Sequence, residues 1–539
     1  MVDFGEVLKS VGEFGFFQKL ITLGLAVPHF LMGTFLCSFL FVETDPDRRC
    51  NTDWILSAGP NLTTEEQLNL TLPREEDGSF SRCLMFVPVD WDIDAIRENG
   101  LNETTRCLNG WVYGNMLYET TIVTDFDLVC GKSNMAEVVQ TVFMTGLLIG
   151  SLVFGPVAES FGRKRTTLLP AALMGIFAVV VGVSPNFYIY LVAQFIAAAA
   201  IGGYRMNSTV LATEWIGVSK RSIASCVNQI FQCLGQSAMA CLVYAVRDWR
   251  KVQYILAGAE ACVLLYMWWI PESARWLLGQ GRTEEAKKLM YEVAAINKKE
   301  IPENLMDEVE GEQKVQNGGI KEIFKSAVLT KRLFIISFVW CCVNLGYCSL
   351  ILNVGKFGLS IFLVQLVFGI SEMPAHLLCI LFLELLGRKK SLISTLLAGG
   401  FVCLLTLAFS EDNAVVITIL VTTGKFFLNW AFSVCMVYIQ EMFPTSVRQT
   451  AVGLAAIAYR VTGLLSPPLN MLAVYHWSIP TVVFGVLTVF SGIFSCLLPE
   501  TRKKELPDST SDINGMGPNK ATGSQFNMTK NSSNKSTRL

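Results

Sequence analysis

The sequence predicts an all-α membrane protein, with twelve transmembrane helices in two parallel six-helix halves and a large disulfide-bonded extracellular loop after the first helix. Three observations predict it: apolar runs of membrane length, a set of motifs repeated at one offset, and basic loops alternating with basic-poor ones. Of 539 residues, 52% are hydrophobic and 16% charged, and the mean hydropathy is +0.45. Soluble domains do not have that balance. A spanning helix needs roughly 20 apolar residues to cross ~30 Å of hydrocarbon. Twelve runs meet the length, near 17–42, 137–158, 167–185, 187–212, 223–246, 251–270, 332–355, 361–384, 391–409, 413–438, 450–472 and 478–498. The length of the first run, and Asp3, Glu6 and Glu13 before it, argue against a cleaved signal peptide. The net charge of −2 gives no footing for nucleic acid.

Orientation follows from the short loops. "GRKR" (Gly162–Arg165), Lys220–Arg221, "GRKK" (Gly387–Lys390) and "TRKK" (Thr501–Lys504) alternate with "SPN" and "SEDN", which places both termini in the cytosol. "RDWRK" at 247–251 breaks the rule on the outer side and is set aside as an exception. Residues 43–136 then lie outside. They hold Cys50, Cys83, Cys107 and Cys130 and the glycosylation acceptors Asn61, Asn69 and Asn102, the composition of a disulfide-stapled, glycosylated loop with three possible pairings. Acceptor motifs at Asn527, Asn531 and Asn534 fall in the cytosolic tail and stay unmodified. The other twelve cysteines fall in spans, as packing residues.

The two halves show as a repeat. Glu159, Gly162, Arg163 and Lys164 recur as Glu384, Gly387, Arg388 and Lys389, 225 residues on. Glu214 with Arg221 recurs as Glu441 with Arg448 at 227, and Pro271-Glu272-Ser273 as Pro499-Glu500-Thr501 at 228. Six spans per half make the repeats parallel. The domains are therefore 1–271, a charged cytosolic segment 272–331 with short helices, 332–501, and a tail 502–539. All these motifs sit at cytosolic helix ends, where carboxylate–guanidinium pairs would gate the cytosolic side. Basic loops obeying the positive-inside rule would explain the cations but not the matched carboxylates.

The stretch Gly155-x-x-x-Glu159-x-x-Gly162-Arg-Lys-Arg resembles the loop signature of the major facilitator superfamily, with Glu where Asp is commoner. "PESARWL" (271–277) and "PET" (499–501) are similar to its sugar and organic-ion porters. The long loop narrows this to the organic ion transporter family, and "EMFPTSVRQTAVGL" (441–454) and "FGLSIFLVQLVFGISEMPA" (357–375) look like its organic anion branch, nearest the urate- and nicotinate-handling members. The resemblance covers all but the tail. It implies a plasma-membrane transporter, in an epithelium, working by alternating access around a central cavity. It implies no enzyme activity.

Arg460 in "AIAYRVTGLLSPPLN" (456–470) is the leading site residue. A guanidinium at mid-bilayer costs at least ~2.5–3.5 kcal/mol unless it faces a cavity or partner, and its planar fork matches a carboxylate. The resemblance puts it at the anion-binding arginine of the branch; the plainer reading is a buried ion pair. His376 stands where the branch has Lys or Arg and is expected to be a second, partly charged contact favoured by acid. The plainer reading is a hydrogen-bonded core histidine. Lys425 and Glu372 are expected to pair with each other, with substrate contact by Lys425 as the alternative. Arg205 and Glu260 are unexpected for the family and could neutralise each other; Gln194 replaces the superfamily's usual arginine. Trp340 and Tyr347 share a helix face, and Phe432 and Gln232 match cavity positions of the branch, with packing as the alternative for each. Phe35, Leu36, Phe39 and Cys348 make the cavity more apolar or smaller than the branch's.

The chain lacks G-x-x-x-x-G-K-[ST], H-E-x-x-H and Cys-x-x-Cys and has three histidines, so ATP, metals and other cofactors are not expected. The end Ser536-Thr537-Arg538-Leu539 suits a PDZ domain. An unpaired Arg460 would be stranded in an empty, closing cavity, so anion exchange is expected, with mono- or dicarboxylates, urate or nicotinate as cargo. Carnitine-like zwitterions, organic cations, a non-transporting receptor and, least, sugars are the rival readings.

Overall fold

The computed structural model describes residues 4–12, 14–42, 47–75, 78–114, 120–216, 221–302, 320–352, 360–409, 413–476 and 478–501. The tail, with Thr537-Arg538-Leu539 and the acceptors at 527, 531 and 534, lies outside them, as do the side chains of Phe39, Arg221, Glu384 and Arg448. Long helices follow the apolar runs. In the first half they are Phe16–Val42, Met135–Phe161, Arg163–Val183, Phe187–Trp215, Arg221–Val246 and Trp249–Met267. In the second they are Ala327–Leu352, Ile361–Leu386, Arg388–Leu405, Ala414–Met442, Thr445–Gly463 and Ser478–Phe494. Among the described residues, eleven helices are long and apolar enough to cross a membrane. The sixth falls short because its 19 residues carry Arg250, Lys251 and Glu260. The eleventh breaks after Gly463 and resumes as Ser466–Met471, where Pro467 and Pro468 occupy the first turn and their missing N–H groups cost no bond.

The packing repeats as the motifs do. In the first half the second span packs on the fourth, the first on the fifth, and the third on the fourth and sixth; adding six to each number gives the pairs of the second half. The halves meet where the fifth span packs on the eighth and the second on the eleventh, pairs that exchange under the same operation. Toward the end bearing the large loop, Tyr244 lies edge-on to Phe362 at 5.5 Å and Gln236 Nε2 donates to Gln365 Oε1 at 2.8 Å. The fourth and fifth spans make no comparable contact with the tenth and eleventh among the described residues. These contacts join the halves at the loop end.

Within the large loop, β1 (Asp47–Cys50) pairs antiparallel with β4 (Trp111–Gly114), and β2 (Leu84–Phe86) with β3 (Thr104–Arg106). Disulfides join Cys50 to Cys107 and Cys83 to Cys130, over a small core of Leu72 and Met85. Asn61, Asn69 and Asn102 are exposed.

The basic stretch at 247–251 has a structural role. Arg250 pairs with Asp125 of the loop at 3.1 Å and donates to the carbonyls of Gly182 and Ser184. Trp249 Nε1 donates to the same Asp125 carboxylate. Asp248 caps the sixth span through the amides of Arg250 and Lys251. Burial works against its ionisation, but the Lys251 side chain and these amides hold its carboxyl below the usual range. Arg250 and Lys251 are thus neutralised locally, and their exception to the charge rule clamps the loop onto the first half.

At the opposite end, Ala274–Gly279 and Thr283–Ile296 pack under the first half with Phe4–Val11. Asn297 accepts from the Phe17 amide at 2.9 Å and donates to the Val11 carbonyl at 3.1 Å.

Candidate functional site

The two Pro-Glu motifs act on helix starts. Glu272 accepts from the amides of Arg163 and Lys164, both at 2.9 Å. Glu500 accepts from those of Arg388 at 3.0 Å and Lys389 at 3.2 Å. Each carboxylate thereby satisfies orphan N–H groups at the positive end of the third or ninth span. Gly162 (φ 100°) and Gly387 (φ 86°) bring the chain into those helices, and a Cβ on either would meet the carboxylate. Beside the caps, Arg163 pairs with Glu214 at 3.3 Å and Arg388 pairs bidentately with Glu441, Nη2 to Oε1 at 2.7 Å and Nε to Oε2 at 2.8 Å. Thr501 adds a bond to Glu441. These pairs lie within a half; none joins the halves. The Glu159 side chain is exposed, and its carbonyl accepts from Trp276 and Gln280.

In the interior, Lys425 of the tenth span forms an ion pair with Glu372 of the eighth; both are buried. Tyr347 donates to Glu372 at 3.2 Å and Cys233 at 3.3 Å. The ammonium lies over the rings of Phe368 at 4.3 Å and Tyr347 at 5.2 Å. Lys425 and Tyr347 are therefore both engaged by one carboxylate.

His376 is also engaged. Its Nδ1 lies 2.9 Å from Ser433 Oγ and its Nε2 3.0 Å from Asn429 Nδ2. Both ring nitrogens thus have partners, with donor and acceptor roles that depend on the tautomer. Ser433 and Asn429 hold the ring that the sequence puts forward as a second substrate contact.

Arg460 sits in the last turn of Thr445–Gly463, where helix carbonyls favour a cation. It is half-buried, Nη1 donates to the Leu147 carbonyl of the second span at 3.1 Å, and Nε is buried without a hydrogen-bond partner. The guanidinium thus crosses between halves to a neutral acceptor. Tyr459 lies 5.7 Å from it. Tyr459, Trp340 and Phe432 form one aromatic cluster, with Trp340 4.6 Å from Tyr459 and 5.6 Å from Phe432. Trp340 is fully buried; Phe432 and Gln232 are partly so. Sequence reasoning missed Tyr459, whose one signal was its place beside Arg460.

Arg205 does not pair with Glu260. Both Glu260 oxygens are buried without a hydrogen-bond partner, near Tyr204 and Tyr266 of the first half. Arg205 is half-buried on the fourth span, and its guanidinium has no ion pair among the described residues. Gln194 bonds Tyr190 at 3.0 Å. A cavity of about 880 Å³ lies elsewhere, between the third span and the surface helices at the basic end, and none of these interior residues lines it. Among the described residues no cluster of His, Cys, Asp and Glu could hold a metal.

Known proteins match this architecture. The family described as "Sugar (and other) transporter" matches residues 102–511. Human solute carrier family 22 member 13 is 36% identical over 521 residues, covering 96% of this chain and 94% of its own. Mouse organic anion transporter 3 is 32% identical over 523 residues, covering 95% and 94%. Among solved structures, the major facilitator superfamily proton:xylose symporter XylE matches with a TM-score of 0.60 at 16% identity, covering 90% of this chain and 97% of its own. The repeated packing, the caps at matched helix starts and these likenesses agree: the chain belongs to the sugar (and other) transporter family of the major facilitator superfamily and, within it, to solute carrier family 22, a family of transporters and not of enzymes.

Proposed function

We propose that this protein carries small organic anions (urate, nicotinate and mono- or dicarboxylates) across the plasma membrane by alternating access and anion exchange. Both termini and the basic loops face the cytosol in this reading. The observation that carries it is Arg460, an intramembrane guanidinium whose described acceptor is a neutral carbonyl of the other half and whose Nε is unsatisfied. An anion in its fork would complete those bonds. The organic anion transporter among the relatives supports the substrate class.

Trp340, Phe432 and Tyr459 would wall a flat ring, and Gln232 would supply an amide. Lys425 and Tyr347 would act through Glu372 unless substrate displaces that pair. His376 would supply a second contact, favoured by acid, by exchanging its bond to Ser433 or Asn429 for one to the anion. Arg163–Glu214 and Arg388–Glu441 would stiffen each half, leaving Glu159, Arg221, Glu384 and Arg448 to meet when the cytosolic end closes. Glu372, already covered by Lys425, offers little to the cationic end of a zwitterion. An empty return would strand Arg460 in a dehydrating site, so a counter-anion should travel back.

The test is uptake of labelled nicotinate, urate and a quaternary ammonium by cells expressing wild type or Arg460→Ala, with surface expression measured. Loss of anion uptake in the variant, and faster uptake into anion-preloaded cells, is expected. Ammonium uptake that survives Arg460→Ala would make the charge structural.

A further inference from the structure

The cavity of about 880 Å³ at the basic end has no part in moving cargo, yet it is chemically two-sided. The start of the third span contributes Lys164 and Arg165 to it, and the surface segment contributes Arg282 and Lys288. Two of its three carboxylates are already engaged. Glu285 pairs bidentately with Arg282, at 2.8 and 2.6 Å, and Glu272 accepts from the Arg163 and Lys164 amides. That sets Lys164, Arg165 and Lys288 against the single carboxylate of Glu292.

The rest of the lining is apolar and reaches the lipid-facing surface. Leu169 and Trp268 are 51% and 70% exposed. The Lys164 ammonium lies 6.0 Å from the centre of the Trp268 ring, so charge and tryptophan meet as they do at a membrane interface. A second cavity, of about 430 Å³ and with a mostly apolar lining, continues from Ala172, which lines both. It follows the third span to Val179 and the sixth span back to Tyr254. From Leu168 to Val179 the joined groove runs roughly 16 Å at ~1.5 Å per residue, close to one leaflet, about half of the ~30 Å hydrocarbon core.

We propose that this groove binds one anionic phospholipid of the adjoining leaflet, with its phosphate head among Lys164, Arg165 and Lys288 and an acyl chain along the third and sixth spans. Charge complementarity selects the head, because the ammonium of a zwitterionic lipid would face three cations and gain from one carboxylate. The length and apolar lining of the groove select a lipid over a free phosphate ester. A bound head would tie the helix Thr283–Ile296, which carries Lys288, to the first half.

The test titrates the purified full chain, in neutral detergent, with dioleoyl phosphatidylserine, dioleoyl phosphatidylcholine or water-soluble glycerophosphoserine. Native mass spectrometry reads retained lipid, and the melting temperature is followed in parallel. Phosphatidylserine should be retained in preference and raise the melting temperature further, and glycerophosphoserine should do neither. Arg165→Gln combined with Lys288→Gln should cut the preference roughly tenfold, from the loss of two surface cations. Gly258→Leu, at a position where an added Cβ meets nothing within 4 Å, should fill the groove and weaken retention of phosphatidylserine. Equal retention of the two lipids by wild type would overturn the proposal, whatever the variants do. A glycerophosphoserine shift equal to the lipid's would overturn it in favour of a site for free phosphate esters. A double variant that keeps the full preference, or a Gly258→Leu variant that retains phosphatidylserine as wild type does, would overturn it as well.

Discussion

Replacing Lys425 by Met leaves the Glu372 carboxylate in the interior with Tyr347 and Cys233 as its described donors. Both members of the pair are nearly inaccessible, with side-chain exposures of 0% and 4%. Breaking such a pair from one side costs about 3–5 kcal/mol, because the remaining charge is buried uncompensated. A hydrogen bond to a charged group returns about 1.5–3 kcal/mol, and two such donors already exist, so the lower end, about 3 kcal/mol, is expected for Lys425→Met. Glu372→Gln strands the ammonium over Phe368 and Tyr347, and should cost a similar amount. The double variant removes both charges and should recover at least ~2 kcal/mol of the summed loss. The assay is a double-mutant cycle on unfolding of the detergent-solubilised protein, read by loss of the monodisperse peak on heating. Strictly additive losses would refute the reasoning, since uncoupled residues are not a pair on which the interior depends.

Other consequences are sharper locally. Gly162→Ala places a Cβ at positive φ against the Glu272 cap and should destabilise by about 1–2 kcal/mol, Gly387→Ala likewise, and Gly279→Ala, in open space, by much less; melting temperatures check this. Cys50→Ser should lower surface expression, cost about 2–5 kcal/mol, and leave Cys107 open to maleimide in the unreduced protein. Asp248 titrates lower folded than unfolded, so its contribution is full above the ordinary carboxylate range and is lost as pH falls through the lower folded value. Asp248→Ala should cost about 1 kcal/mol at neutral pH and flatten the acid limb of the melting profile.

Apolar runs, alternating basic loops and the three motifs that each occur twice were enough to predict twelve helices in two halves, because membrane length and charge bias are local properties of a chain. The repeat also pointed to the helix starts that Glu272 and Glu500 cap, although not to capping as their role. Facing relationships were harder. Arg205 and Glu260 share a half and have opposite charges, yet their helices turn them to different neighbours, and rotation about a helix axis is set by packing rather than by spacing. For His376 the sequence shows the ring but not its partners Ser433 and Asn429, 57 and 53 residues away. Arg250 looked like a violation of the charge rule because its partner, Asp125, lies in the loop 125 residues earlier.

The clamp at Arg250 makes the disulfide-bonded loop a passenger of one half. Its anchors, Asp125 with Trp249 and Arg250, and the carbonyls of Gly182 and Ser184, all belong to the first six spans or to the loop itself. When the halves tilt apart at that end, these bonds carry the loop with the first half. A fluorophore on its exposed face near Asn102, paired with one on the second half, would then read the transport cycle as a change in distance, without touching the site that binds the cargo.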